Sequence, residues 1–361
     1  MRSALLRLLI VIGTVFSLSA APPPGSGQAI DSIYGPLPVF EFHSGFWVNL
    51  HHFLYHEARA RQAARDASGK SAGPILKQTP GSTVTLSPAE QKLWDDAIAY
   101  YQANHSMKDL QVNIDLILLK DQLGDFEDCD ELTGKKKPSC DAGLPGKEGA
   151  MLESVAAIYR AHWWPDQNRA NRRWVARVAP LVREQGVGLS ERLAEIYQSK
   201  WPKEKIRVEV CAFANTAGAY TTLDPLHVTI SSTDPRNQAV GALDVLFHES
   251  SHGIAVPVQE AIARECRQRN KPIPRNLWHA LIFYTTSEVL RPILQEASEN
   301  PASATSSTQK PKLAPLPGEL RDILTQRGWE DYLHVLTVYW QPYLEGRITF
   351  EDAVAHMVSA I

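Results

Sequence analysis

The chain has 361 residues, of which 44% are hydrophobic and 21% are charged, and its formal net charge is −3. These values are typical of a globular protein and exclude a mostly disordered or fibrous chain. The 37 Lys and Arg residues nearly balance the 40 Asp and Glu residues. The composition therefore gives no indication of binding to nucleic acid.

The first 21 residues have the layout of a secretory signal peptide. Arg2 and Arg7 form a basic start, an apolar stretch runs over residues 8–18, and Ser19, Ala20 and Ala21 supply small residues for cleavage. The apolar stretch is too short to span a bilayer, and no later stretch approaches that length. We expect an exported protein, periplasmic or secreted, without a stable membrane span after cleavage; an uncleaved anchor is the alternative.

Export gives the four cysteines a different meaning, because disulfides persist in oxidising compartments. Cys129 and Cys140 flank a short polar loop, and we predict that they form a local disulfide. Cys211 and Cys266 either pair with each other or stay as buried thiols, and the sequence leaves both possibilities open.

Hydrophobic periodicity predicts a mainly helical chain with one short β region. A helical pattern begins near Gly45, and the capping box Ser87-Pro88-Ala89-Glu90 begins another helix. Apolar stripes predict further helices around residues 152–159, 174–181 and 193–197. Residues 206–210, 219–222 and 226–231 are predicted as strands, after which helices return. Two helices end the chain, the second with Thr349 as its N-cap.

Residues 248–252 are His-Glu-Ser-Ser-His, an HExxH motif on a predicted helix. Two histidines four residues apart lie on one helix face, so both imidazoles can reach one metal ion. The intervening Glu249 can act as general base for a water molecule that zinc activates. A structural helix with ordinary histidine hydrogen bonds is the alternative.

Zinc in a catalytic site has three protein ligands and an open position. No third histidine follows His252 at the extended HExxHxxGxxH spacing, so we predict a carboxylate as third ligand. Glu288 is the preferred candidate because it lies in an otherwise apolar helix, where a lone carboxylate is costly to bury. Glu260 is the second choice, and Glu265 lies among arginines that would keep it in solvent.

These residues resemble the gluzincins, zinc metallopeptidases that combine HExxH with a downstream helical Glu. The resemblance covers about residues 206–296 and implies Zn²⁺ ligation by His248, His252 and Glu288, with Glu249 as base. The gap from His252 to Glu288 is longer than in the thermolysin branch. Ser287 also stands where that branch has Asn, so no branch is assigned.

The implied fold class is α+β and mainly helical, with a zincin-like core of three or four strands and an HExxH helix between N- and C-terminal helices. The expected division of the chain is as follows: 1–21 signal peptide, 22–44 Pro/Gly-rich lead-in, 45–205 N-terminal helical region, 206–296 zincin-like catalytic core, 297–316 flexible loop, and 317–361 C-terminal helices packed on the core.

Other polar residues near the motif have weaker assignments. Tyr284 lies one turn before Glu288 and is the candidate donor to the oxyanion; a core tyrosine is the alternative. His279 is nine residues before Glu288, on the opposite helix face, and is not expected at the zinc. Asp244 could support His248 from one turn away, and His227 could face the cleft. A second metal site at His52 and His56 is also considered.

The sequence therefore predicts an exported zinc-dependent hydrolase, a metallopeptidase acting on a peptide or protein substrate. The alternatives are a non-catalytic secreted binding protein with structural zinc, and a zinc hydrolase of a non-peptide amide or ester. Retention of Glu249 favours an enzyme, because a structural site does not need a base. The sequence gives neither the substrate specificity nor the oligomeric state.

Overall fold

The structure, a computed structural model, describes residues 37–67, 84–132, 140, 143–299 and 323–361. The predicted signal peptide lies outside these residues. So do most of the predicted lead-in at 22–44 and most of the predicted loop at 297–316. Among the described helices, none is both long enough and apolar enough to cross a membrane.

A four-stranded mixed sheet lies at the centre of the fold. Its strands are β1 (Phe40–His43), β2 (Ile206–Cys211), β3 (Ala219–Leu223) and β4 (Leu226–Ser231), in the spatial order β1-β2-β4-β3. The strands β1, β2 and β4 are parallel, and β3 is the antiparallel edge strand. Three strands were predicted and are confirmed, whereas β1 was missed inside the expected lead-in.

Helices surround the sheet in three groups. Before β2 lie α1 (Phe46–Ala67), α2 (Pro88–Asn104), α3 (Ile114–Asp125), α4 (Gly146–His162) and α5 (Trp164–Ile196). After β4 lie α6 (Val240–Ser251), α7 (Val256–Gln268) and α8 (Leu277–Glu299). The chain ends with α9 (Glu330–Val335), a π-helical turn (Leu336–Trp340), α10 (Gln341–Leu344) and α11 (Phe350–Ala360).

The predicted helix caps are present. The Glu90 backbone N–H donates to Ser87 Oγ at 3.3 Å, and the Ser87 N–H donates back to Glu90 Oε2 at 2.8 Å. Thr349 Oγ1 accepts a bond from the Asp352 N–H at 3.1 Å and so caps α11. Both caps satisfy backbone donors that the first helical turn leaves without partners.

The largest difference from the predicted helices is α5. The apolar stripes at 174–181 and 193–197 belong to one helix of 33 residues, which continues through Pro180. At about 1.5 Å per residue this helix is ~50 Å long. Its N-terminal Trp164 packs in one hydrophobic cluster and the segment from Trp174 onward in another, so one element joins two parts of the core.

The two hydrophobic clusters lie on opposite faces of the sheet. Phe42 and Val208 point toward α5 and α6, where they join the larger cluster. Tyr220 on the other face contributes to the second cluster with α1 to α4. That second face also buries polar groups: Lys120 Nζ donates to Thr222 Oγ1 at 2.7 Å with only 1% of its side chain exposed. Such buried polar groups are tolerated because they are paired.

The cysteine predictions have a clear outcome. Cys129 and Cys140 form a disulfide, with their Cα atoms 5.6 Å apart, which confirms the predicted local bridge. Cys211 and Cys266 are both buried free thiols, so of the two open alternatives the structure has the unpaired one. Burial raises the pKa of the Cys211 thiol well above its ordinary value, which keeps it protonated.

Candidate metal centre

The HExxH motif lies at the C-terminal end of α6. This helix follows β4 and buries an apolar face that includes Leu243, Leu246 and Phe247, which fixes its rotation against the sheet. His248 lies in the last helical turn and His252 is the C-cap residue. The centres of the two imidazole rings are 5.2 Å apart. The predicted pairing of the motif histidines on one face is therefore present.

The third residue of the centre is His279, in the first turn of α8. Its ring centre lies 5.5 Å from that of His248 and 4.8 Å from that of His252. One ligand nitrogen from each of the three histidines lies within 4.8 Å of the others, which makes this the group among the described residues that could hold a metal ion. The expectation that His279 faces away from the motif was wrong.

Glu288, the predicted third ligand, is not part of this group. It lies nine residues after His279, and nine residues on an α-helix correspond to about half a turn of rotation from the starting face. Its carboxylate instead accepts hydrogen bonds from the Arg291 guanidinium on the same helix. The argument that a buried carboxylate needs a partner was sound, but the partner is an arginine.

Tyr284 also lies away from the histidines. Its hydroxyl donates to Gln341 Oε1 at 2.8 Å, toward the C-terminal helices, and its side chain is buried in the core. Burial, with the nearby Glu288 carboxylate, raises the pKa of Tyr284 to about 12. The alternative reading of this residue as a core tyrosine therefore fits the structure, whereas its predicted oxyanion role has no geometric support.

Glu249 lies buried between α6 and the edge strand β3. Thr221 Oγ1 is 2.7 Å from Glu249 Oε2 and 2.8 Å from the Glu249 carbonyl oxygen. The Thr221 hydroxyl can donate its hydrogen to either of these oxygens, and this contact holds the Glu249 side chain in position. Burial raises the pKa of Glu249 to about 7, against the opposing effects of the Thr221 hydrogen bond and the positive charge of Arg327. A carboxyl with this pKa can both accept and release a proton near neutral pH.

The three histidines are held in their neutral form. Burial lowers the pKa of His252 to about 4 and that of His279 to about 3, and Arg327 adds to both effects. Burial likewise lowers the pKa of His248 well below its ordinary value. A neutral imidazole has a free lone pair, which is the form that binds a metal.

Unused ring nitrogens support the assignment of a metal centre. His248 Nδ1 is buried and has no hydrogen-bond partner among the described residues. Within the same part of the chain, the structure shows no side-chain hydrogen bond to His252 or His279. Buried polar atoms are nearly always paired, so an orphaned imidazole nitrogen indicates a missing partner.

Aromatic residues and one arginine surround the histidines. The Phe283 ring centre lies 3.8 Å from that of His248, and Trp278 packs against both His252 and His279. The centres of the Trp329 and His279 rings are 5.2 Å apart. The Arg327 guanidinium carbon lies 4.9 Å from the centre of the Phe283 ring. Apolar rings therefore pack against histidines of which two remain partly exposed, and a cation lies beside two of these rings.

Sequence reasoning missed His279, Thr221 and Arg327. A signal for His279 existed, because it is a polar residue in the same apolar helix that suggested Glu288. Thr221 gave no signal, since a strand threonine is common in any β-strand. Arg327 reaches the histidines through the packing of the chain end, which no local pattern encodes.

His227, Glu260 and Glu265 lie away from the three histidines, whereas Asp244 is on α6, one turn before His248. His227 faces the far side of the sheet, where its Nδ1 lies 3.2 Å from Asp121 Oδ1. Glu265 pairs with Arg269, and Glu260 lines a surface groove beside Trp278. The pKa of Asp244 is raised to about 7 by burial.

Comparisons with protein-family models, with curated proteins and with solved structures give no match for this chain. The functional argument therefore depends on the geometry of the site itself. What that geometry shows is a group of three neutral histidines that could bind a metal ion, next to a buried carboxyl group.

Proposed function

We propose that this protein is an exported zinc-dependent hydrolase that cleaves peptide bonds. The observation that carries the proposal is the convergence of three neutral imidazoles on one point, with the carboxyl group of Glu249 in the same helical turn. Three histidines with room for a further ligand are a known catalytic donor set for zinc. His248, His252 and His279 would hold the ion, and a bound zinc would polarise the carbonyl group of the substrate.

The residues of the chain have separate parts in this mechanism. Glu249 Oε2, held by Thr221, would accept a proton from the attacking water and pass it to the leaving amine. A fixed carboxylate reduces the reorganisation needed during proton transfer. The Phe283 ring packs on His248 and the Trp329 ring on His279, and both would limit the access of bulk water.

The order of elements supports the proposal. The antiparallel edge strand β3 lies beside the motif helix, and β4 leads directly into that helix. A small sheet followed by an HExxH helix is the arrangement that the zincin resemblance implies. The third ligand proposed here is a histidine on a later helix, so the proposal departs from the gluzincin ligand set at that position.

Export is part of the proposal for two reasons. The basic and apolar layout of residues 1–21 is typical of a signal peptide. The Cys129–Cys140 disulfide suits an oxidising compartment, since disulfides are rare in the reducing cytosol.

The test combines metal content with turnover. The purified protein, Glu249→Gln and the matched control Glu265→Gln are compared for zinc stoichiometry and for cleavage of a mixed peptide set. We expect about one zinc per chain in all three, and cleavage reduced by at least ~100-fold only in Glu249→Gln, because general-base catalysis contributes about that factor. Zinc binding without cleavage in any of the three would instead indicate a binding protein with structural zinc. A parent protein without zinc would overturn the proposal.

A further inference from the structure

Arg327 lies at the edge of the metal centre, between two aromatic rings that also contact the histidines. Its guanidinium carbon is 4.9 Å from the centre of the Phe283 ring and 5.1 Å from that of Trp329. The centre of the Phe283 ring lies 3.8 Å from that of the His248 ring, and the centre of the Trp329 ring lies 5.2 Å from that of the His279 ring. One aromatic ring therefore separates the arginine from each of these two histidines.

The guanidinium of Arg327 has no direct polar contact with another side chain among the described residues. The structure shows no side-chain hydrogen bond or ion pair for it there, although its side chain is exposed. Two other arginines of this half of the chain, Arg291 and Arg347, are paired with Glu288 and Glu345. Arg236, the other cation that acts on Arg327, is bound to Asp234. Within the part of the chain that the structure describes, Arg327 is therefore a cation beside the site without a hydrogen-bonded partner.

The way the guanidinium is held leaves its donors available. A guanidinium stacked on aromatic rings is oriented by them while its N–H groups stay in its own plane. Those N–H groups form a fork that matches the two oxygens of a carboxylate. Because the side chain is exposed, a ligand can reach this fork from the solvent.

The distance from Glu249 suggests which substrate group the arginine meets. Arg327 interacts electrostatically with Glu249 but forms no ion pair with it, so their charged atoms are more than 4.0 Å apart. A donor for the oxyanion would need to lie about 3 Å from the reacting carbonyl oxygen, next to the base. The Arg327 guanidinium lies behind an aromatic ring as seen from the histidines. It is therefore better placed to bind a charged group of the substrate about one residue away from the bond that is cleaved.

We propose that Arg327 is a specificity residue that binds a carboxylate of the substrate, so that the enzyme prefers peptides with a carboxylate next to the scissile bond. This inference rests on the proposed function. The carboxylate has two possible sources, the free C-terminus of the peptide or an acidic side chain, and both offer the same pair of oxygens to the guanidinium fork.

The test measures binding, so it does not depend on turnover. Isothermal titration calorimetry on the zinc-loaded full chain carrying Glu249→Gln compares an N-acetylated tripeptide with a free C-terminus and the same peptide as its amide. We expect the free acid to bind about 10- to 100-fold more tightly, as for a charged hydrogen bond. Adding Arg327→Gln should remove this preference. Adding Arg347→Gln, which removes the same charge from an arginine away from the site, should leave it intact.

A third peptide identifies the source of the carboxylate. An amide-capped peptide with an internal Asp that binds as tightly as the free acid would support recognition of an acidic side chain; weak binding would support recognition of the C-terminus. Equal binding of the acid, the amide and the Asp peptide, no binding of any of them, or equal losses for all three in Arg327→Gln would overturn the inference. If the parent protein cleaves peptides without regard to their charge, this inference fails while the proposed function stands.

Discussion

Two groups of histidines lie on helices of this protein, and His52 in one group differs from His248 and His252 in the other in what its ring nitrogens bind. On α1, His52 Nδ1 donates to the Val48 carbonyl oxygen at 2.8 Å, and its Nε2 lies 2.8 Å from the Tyr220 hydroxyl. At the metal centre, the described residues offer no such partner to His248 or His252. Both pairs, His52 with His56 and His248 with His252, have the same spacing of four residues. Spacing alone therefore does not identify a metal site. An unused nitrogen atom does not either, since His51 Nε2 on α1 also has no partner among the described residues. The centre is distinguished by three histidines whose ligand nitrogens lie within 4.8 Å of one another.

The largest effect is expected from removing the third histidine. His279→Ala should weaken zinc binding by about 100-fold or more, because even the loss of an outer-shell contact to a ligand costs 10- to 100-fold. Glu288→Gln is the matched control on the same helix and should leave the affinity unchanged. Competition with a chromophoric chelator measures both.

The contrary result has a definite meaning. If Glu288→Gln weakens zinc binding while His279→Ala does not, the carboxylate is the third ligand, and α8 is rotated in solution relative to the structure described here.

A smaller effect is expected on α1. His52→Gln should lower the free energy of unfolding by about 2 kcal/mol, because the buried Tyr220 hydroxyl loses its partner. Zinc affinity should stay at the parent value, since His52 lies on the other side of the sheet. Urea unfolding of the chelator-treated protein measures the change. His56→Gln is the control, since that ring is only partly buried and stacks on Phe213. An equal loss in both variants would contradict the role given to the hydrogen bonds of His52.

The smallest expected effect is a pH dependence of the loss in unfolding free energy that His52→Gln causes. Burial lowers the pKa of folded His52 to about 4, below the value of about 6.5 in the unfolded chain. The stabilising contribution of this histidine is therefore complete above about pH 6.5 and is lost as the pH falls toward 4. The cost of His52→Gln should shrink by ~1.4 kcal/mol between pH 7.5 and pH 5.5. Unfolding curves of parent and variant at the two pH values test this, and a cost independent of pH would show that the pKa of His52 is the same in the folded and the unfolded chain.

Local patterns predicted the parts of the fold that depend on short stretches of sequence. The alternation around Val208 and Val228 placed β2 and β4, and the HExxH spacing placed His248 and His252 on one face of a helix. Helical periodicity also showed that His279 and Glu288 cannot both face the motif. These conclusions need only the repeat of the backbone.

The missed features depend on contacts between distant parts of the chain. The strand β1 is four residues long and owes its existence to pairing with β2, more than 160 residues later. Which face of α8 meets α6 is decided by how Trp278, Phe283 and Trp329 pack around the histidines, and the last of these lies on another element. Periodicity defines the faces of a helix but not the neighbour of each face.

The length of α5 has a consequence for how the protein unfolds. One continuous helix supplies Trp164 to the cluster on one side of the sheet and Trp174 and Val178 to the cluster on the other. Breaking either cluster removes the packing that holds part of this helix, and short unsupported helices are marginal in water. The two halves of the core should therefore melt together in a single cooperative transition, and damage to the N-terminal helices should be felt at the metal centre.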